Sequence, residues 1–181
     1  MDIKQVLEKP LDGSYSVSVE VILFSQDQKQ VCLVLENGGK KTKGLFSFFK
    51  PRAWENPGGG VHKGEIPIQG ATREVVQETG FPENAFEIFP EILDYKQEGT
   101  LKKPHHKIVF RGKINCDIND SPFQINPARD TLGRIFVPIS ELPNNRTGKY
   151  WKRRFGNEEY GIFASHLEHI LANQRPSAVL S

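Results

Sequence analysis

The stretch from Asn56 to Phe81 restricts this chain more than any other part of it. It begins Asn56-Pro57-Gly58-Gly59-Gly60-Val61-His62-Lys63-Gly64-Glu65 and runs straight into a segment with its own start and stop signals. Pro67 suits the first helical turn, where a missing N–H costs nothing. Gly80 suits the left-handed stop, and Pro82 blocks continuation. The spacing predicts a helix over 67–79 with Ile68, Ala71, Val75 and Val76 as its apolar face. Glu74, Gln77 and Glu78 stand at i, i+3 and i+4, so they share a different face. The helix must dock its apolar side on a core and leave an acidic stripe beside a glycine-rich loop.

That stripe has a chemical use. Two carboxylates and a side-chain amide are all oxygen donors, and such a set suits a hard cation, Mg²⁺ or Mn²⁺. Like charges at i,i+4 repel in an isolated helix. A divalent cation between them reverses the sign. Glycines let backbone atoms approach a ligand closely. A cation beside exposed backbone is a cradle for phosphates.

Upstream, Tyr15, Val17, Val19, Val21 and Leu23 alternate with Ser16, Ser18 and Glu20, which predicts a strand with one buried face. Val31 to Leu35 is a second, fully apolar strand after the polar Ser25–Lys29, and the two read as a hairpin. Residues 37–57, with Phe46, Phe48, Phe49 and Trp54, read as a long irregular stretch. Further strands are expected near 86–95, 106–116 and 134–139. A final helix is expected over 158–173 with Asn157 as N-cap. No internal repeat or linker interrupts the chain, so 1–181 is expected to be one domain with a core of about 14–175.

Composition removes several alternatives. Twenty-four Lys and Arg against 22 Asp and Glu leave a net charge of +2, which excludes a binder that works by bulk charge. No apolar run is long enough to span a bilayer, and the first residues carry no signal-peptide core, so no membrane partner and a cytoplasmic location are expected. Cys32 and Cys116 form no CxxC pair and are expected to be reduced, buried thiols. His105 and His106 point to opposite faces of a strand and cannot easily share an ion. His166 and His169 lie at i,i+3, but no second pair completes a zinc set.

The fixed positions run Gly59, five residues, Glu65, seven residues, Arg73-Glu74-Val75, one residue, Gln77-Glu78, one residue, Gly80-Phe81. This resembles the signature of the Nudix hydrolases, G-x5-E-x7-R-E-U-x-E-E-x-G-U with U apolar. It departs from that signature only at Gln77, where the family has the first Glu of a pair. The Trp54-x-x-Pro57-Gly58-Gly59 lead-in agrees with the resemblance. The resemblance implies an α/β fold, a mixed β-sheet sandwiched between α-helices. It also implies Mg²⁺- or Mn²⁺-dependent hydrolysis of a nucleoside diphosphate linked to another moiety, X, at the pyrophosphate. The expected substrate is a small-molecule nucleotide.

The resemblance also implies site roles, position by position. Glu74 and Glu78 are expected as metal ligands and catalytic groups, with Gln77 and the carbonyl of Gly58 completing the metal set. Glu65 and Arg73 are expected to pair and hold loop to helix. Asp130 is the candidate for a further acid from outside the signature, with Glu91, Asp94 and Glu98 as weaker alternatives. Arg52, Trp54, Gly59, Gly60 and Trp151 are candidates for contact with substrate. Gln77 brings no charge, so weaker metal binding is expected, and a nucleotide-binding module with little hydrolysis is the alternative. Arg146, Lys149, Lys152, Arg153 and Arg154, interleaved with Tyr150 and Trp151, leave an RNA end as the one nucleic-acid substrate to consider. The resemblance also leaves room for a homodimer.

Overall fold

The computed structural model describes residues 2–43, 46–50, 52–100, 103–116, 131–142 and 152–173. Its framework is a mixed sheet of β1 (Ser16–Phe24), β2 (Gln30–Glu36), β5 (Ala53–Glu55), β6 (Gly58–Gly60), β7 (Phe86–Thr100), β8 (Lys103–Ile114) and β9 (Thr131–Pro138). The order is β5-β2-β1-β8-β7, with β6 beside β1 and β9 beside β2. β1 and β8 run parallel, and the other pairings are antiparallel. β3 (Gly39–Lys43) and β4 (Phe46–Lys50) form a separate two-stranded hairpin, as do β10 (Lys152–Phe155) and β11 (Glu158–Gly161).

Helices cover both faces. α1 (Ile3–Glu8) and α2 (Pro67–Thr79) lie with Val17, Val19, Val21, Leu23, Ile108 and Phe110 in one core. α3 (Ala164–Ala172) packs Leu167 and Ile170 onto Ile22, Phe24, Leu33, Leu35 and Val109 in the other. Each fully buried aliphatic side chain contributes about 1.5–3 kcal/mol, so these two residues help anchor α3 on the sheet. This is the expected α/β arrangement, a mixed sheet between helices. No helix among the described residues is long and apolar enough to cross a membrane.

Several local expectations are corrected. β1 is buried on both faces over its second half, not on one, because α3 covers Ile22 and Phe24. The stretch 37–57 is not irregular: it holds β3, β4 and β5. Lys40-Lys41-Thr42-Lys43 carries no apolar alternation, so a hairpin closed by its own backbone bonds leaves no periodic mark.

The last helix starts at Ala164 rather than 158, and its N-cap is Phe163. Asn157 sits instead with Gly156 in the two-residue turn between β10 and β11. Gly-Asn between two extended runs is a hairpin signal, and it outweighs a helical reading of residues 158–161. Ile162 then bridges Trp54, and Phe163 N–H donates to Trp54 O at 3.1 Å, so this backbone is committed before the helix begins. Cys32 is fully buried, which pushes its thiol up to about 12, whereas Cys116 is only half-buried just past β8.

Candidate active site

α2 has the predicted bounds. Pro67 occupies its first turn, and Gly80 closes it in the left-handed conformation (φ 73°) with its N–H on Val76 O at 3.1 Å. Gln69 Oε1 accepts from Ile66 N–H at 3.0 Å and so caps the start. Ala71, Val75 and Thr79 are buried against the sheet, and so is Glu74, at 7% exposure. The acidic stripe therefore begins inside the helix–sheet contact.

The ladder between β1 and β6 decides what faces that stripe. Val21 N–H donates to Pro57 O at 2.8 Å, and Val61 N–H donates to Val17 O at 2.9 Å. Alternate residues of an antiparallel strand aim their backbone groups to opposite sides. Residues 57 and 61 face β1, so Gly58 and Gly60 face away from it, along the open edge. There Gly58 N–H donates to Glu78 Oε2 at 2.8 Å, and Gly60 O accepts from Arg73 Nη2 at 2.8 Å. Gly59 in turn has no room for a side chain. A Cβ there would lie 2.6 Å from both Cδ and Oε1 of Glu74.

Arg73 is the hub of the arrangement. Its Nε and Nη2 bond the two oxygens of Glu65 at 2.8 and 3.0 Å, a two-pronged pairing. Its Nη1 reaches Glu74 Oε1 at 2.6 Å and Gln77 Oε1 at 3.3 Å. The guanidinium beside Glu65 holds that carboxyl down at about 2, despite some burial. Arg73 itself is raised, first by its bonds to Glu65. Glu65 also accepts from His62 N–H at 2.8 Å, while its carbonyl takes Leu11 N–H at 2.9 Å. Loop, helix and N-terminal segment are thus tied at one point.

Glu74, Gln77, Glu78, Gly58, Gly59, Gly60, Glu65 and Arg73 therefore meet in one place. The donors available to a cation are two carboxylates, an amide oxygen and an outward backbone carbonyl. That is an oxygen set for a hard ion, although no group of three or more His, Cys, Asp or Glu residues suited to a metal occurs among the described residues.

Other candidates fall elsewhere. Trp54 is wholly buried in the α3-side core, with Nε1 donating to Arg153 O at 3.3 Å, so its ring is core rather than a substrate platform. Arg52 donates to Asn37 Oδ1 at 3.2 Å and to the Tyr160 hydroxyl at 3.5 Å, which ties it to β11. Asp94 lies 3.3 Å from His169 Nε2, Glu98 pairs with Lys96 at 2.6 Å, and Glu91 is exposed. Asp130 and Trp151, with Arg146, Lys149 and Tyr150, lie outside the described residues. His105 bonds Ser16 and Ser18 while His106 bonds the Tyr95 hydroxyl, on opposite faces as expected.

The family model of the NUDIX domain matches residues 14–158. The chain belongs to the Nudix family. Nudix hydrolase 7 of Arabidopsis thaliana is 26% identical, over 79% of this chain and 47% of that protein. Nudix hydrolase 6 of the same plant is 26% identical, over 75% of this chain and 43% of that protein. The chain thus spans about half the length of the curated relatives it matches. A NUDIX-family hydrolase from Clostridium perfringens superposes with a TM-score of 0.56 at 12% identity, covering 87% of this chain and 94% of that one. An ADP-ribose pyrophosphatase from Streptococcus suis superposes with a TM-score of 0.53 at 17% identity, covering 90% and 93%. At these identities the two structures speak for the fold of this Nudix chain.

Sequence patterning does not single out Asn56 and Glu20, yet both are buried beside the site. Asn56 is 1% exposed and Glu20 2% exposed, and Asn56 Nδ2 donates to Glu20 Oε1 at 2.8 Å. The signal available in the sequence is a lone Glu among the apolar residues of β1, together with the unexplained His166 and His169 pair.

Proposed function

We propose that this Nudix chain is a divalent-metal-dependent pyrophosphohydrolase that cleaves a nucleoside diphosphate linked to another moiety. The observation that carries the reading is the meeting of Glu74 and Glu78 with the outward edge of Gly58–Gly60. Glu74, Glu78, Gln77 Oε1 and the Gly58 carbonyl would hold Mg²⁺ or Mn²⁺. When bound, the ion neutralises the pyrophosphate and polarises its phosphorus.

The chain's own residues do the rest. Gly59 leaves space for the Glu74 carboxylate, and Arg73 Nη1 fixes that carboxylate through Oε1. Gly58 N–H orients Glu78 through one oxygen. Glu74 is the group we assign to take the proton of the attacking water, with Asp130 as a second candidate acid. In-line attack then needs positioning more than covalent chemistry. The name of the Streptococcus suis neighbour makes ADP-ribose the first substrate to try.

A second reading, nucleotide binding with little turnover, is favoured by Gln77, whose amide oxygen takes a hydrogen bond from Arg73 and adds no charge. Cleavage of ADP-ribose, other nucleotide sugars, nucleoside triphosphates, dinucleoside polyphosphates and triphosphorylated RNA, followed with Mg²⁺ or Mn²⁺ as the phosphomonoester and pyrophosphate products that the two sides of the broken bond yield, separates the two. The hydrolase reading expects a substrate whose turnover falls by about 10²-fold or more in Glu78→Gln. Turnover that Glu78→Gln leaves unchanged, or tight nucleotide binding without turnover, overturns it.

A further inference from the structure

The open edge of residues 56–60 is held from two helices. Gly58 N–H and Gly60 O meet Glu78 and Arg73 of α2. Asn56 has the same parity, so its N–H also faces away from β1, and it donates to His166 Nδ1 of α3 at 3.1 Å. We propose that His166, acting through Asn56 and braced by the buried Glu20 carboxylate, is a positioning residue that sets the orientation of the Gly58 backbone in the candidate metal site. The proposal rests on the hydrolase reading for its consequence, though not for its geometry.

Each contact of Asn56 fixes one degree of freedom. Its side-chain amide donates to Glu20 Oε1 at 2.8 Å and to His166 O at 3.4 Å, so Nδ2 faces two acceptors and the amide cannot be reversed. Its backbone N–H needs an acceptor, so Nδ1 of His166 carries no proton. Nδ1 also lies 3.2 Å from Glu20 Oε1, but that oxygen already takes Asn56 Nδ2 and His169 Nδ1. The ring hydrogen then sits on Nε2, which lies 3.6 Å from Glu55 Oε2. Glu20 is a buried carboxylate and needs compensation. It finds Lys107 Nζ at 3.0 Å and His169 Nδ1 at 2.9 Å.

The residue after Asn56 has its carbonyl on Val21 N–H, and the next is Gly58. Only one residue, Pro57, separates the α3 anchor at Asn56 from the proposed metal ligand at Gly58. A Cβ on Gly58 would lie 2.3 Å from Val19 O, so the strand there is already pressed against β1 and can shift only along its length or outward. His166 opposes the outward motion. α3, which supplies it, begins beyond residue 158, where the family model's match ends.

The test compares wild type with His166→Ala, His166→Asn and Leu171→Ala. Asn places a carbonyl oxygen near the position of Nδ1 and restores an acceptor. Leu171 packs in the same α3-side core, and the hydrogen bonds of Asn56 go to His166 and Glu20, so its truncation loosens α3 generally. The first readout is hydrogen exchange of the Gly58 amide in metal-free protein. The second is the Kd for Mn²⁺ alone, by electron paramagnetic resonance.

His166→Ala is expected to speed Gly58 exchange and weaken Mn²⁺ binding, each by about tenfold. His166→Asn should return both most of the way, and Leu171→Ala should leave both near wild type. Unchanged Gly58 exchange in His166→Ala, or equal effects in Leu171→Ala, overturns the proposal. A wild-type protein that binds no Mn²⁺ would overturn the metal reading instead, and the exchange comparison would still decide the role of His166.

Discussion

The backbone of Gly59 lies directly against the carboxylate of Glu74, so close that a Cβ on Gly59 would sit 2.6 Å from Glu74 Cδ. The obstacle is the end of a side chain, which can swing aside. Gly59→Ala is therefore expected to fold with a stability loss of about 1 kcal/mol while displacing Glu74. Mn²⁺ affinity and any turnover should fall by tenfold or more, roughly the equivalent of 1.4 kcal/mol. A urea melt and a Mn²⁺ titration on the same preparation check both halves. Normal affinity would remove Glu74 from the ligand set.

Gly58→Ala should behave in the opposite way. Its Cβ would meet Val19 O at 2.3 Å and Glu20 Cα at 2.9 Å, and these are backbone atoms that cannot rotate away. The pairing of β6 with β1 must open. The expected cost is about 2–3 kcal/mol, read as a shifted urea midpoint. A midpoint within error of wild type would mean that β6 is not pressed on β1 as described.

Local chemistry makes part of this legible in the sequence, and tertiary chemistry hides the rest. The bounds of α2 can be read because Pro67 and Gly80 act within one turn of where they stand. The Glu65–Arg73 pairing spans eight residues and is implied by the family resemblance. Trp54 cannot be placed from sequence, since only the packing of α3 decides that its ring is core. The hydrogen bond from Asn56 to His166 joins residues 110 apart, and no periodicity announces it. The start of α3 is hidden because Gly156-Asn157 fits both a turn and a helix cap, and only its pairing partners choose.

Gln77 is the position at which the sequence departs from the Nudix signature, and its oxygen accepts from Arg73 Nη1 at 3.3 Å. Gln77→Glu keeps the shape and adds a negative charge to the stripe. Mn²⁺ affinity is expected to rise by about tenfold, or roughly 1.4 kcal/mol. Turnover of any substrate should rise with it. An affinity unchanged or reduced would show that this side chain belongs to Arg73 and not to the metal site.

Arg73 serves Glu65, Glu74, Gln77 and the Gly60 carbonyl with one planar fork. Lys has a single point of charge and cannot reproduce that set. Arg73→Lys should cost about 2–3 kcal/mol of stability, the worth of one or two charge-assisted hydrogen bonds. Urea unfolding measures it directly. A loss below about 0.5 kcal/mol would make the fork ornamental, like an exposed surface pair.

Two titrations bound the pH range in which the fold is firmest. Glu65, held at about 2 by Arg73 against an ordinary 4.5, stabilises the folded state above 4.5 and loses that contribution as pH falls toward 2. His169 is raised above its ordinary 6.5, first by its bond to Glu20. Its ring nitrogens face Glu20 and Asp94, and Lys107 opposes its charge from β8. That contribution is complete below 6.5 and is lost as pH rises through the elevated folded value. Melting temperatures of wild type, Glu65→Gln and His169→Gln across this range give the check. The deficit of Glu65→Gln should close toward pH 2, and that of His169→Gln should shrink above pH 6.5. A His169→Gln deficit that stays constant with pH would mean that the ring is held by packing, not by charge.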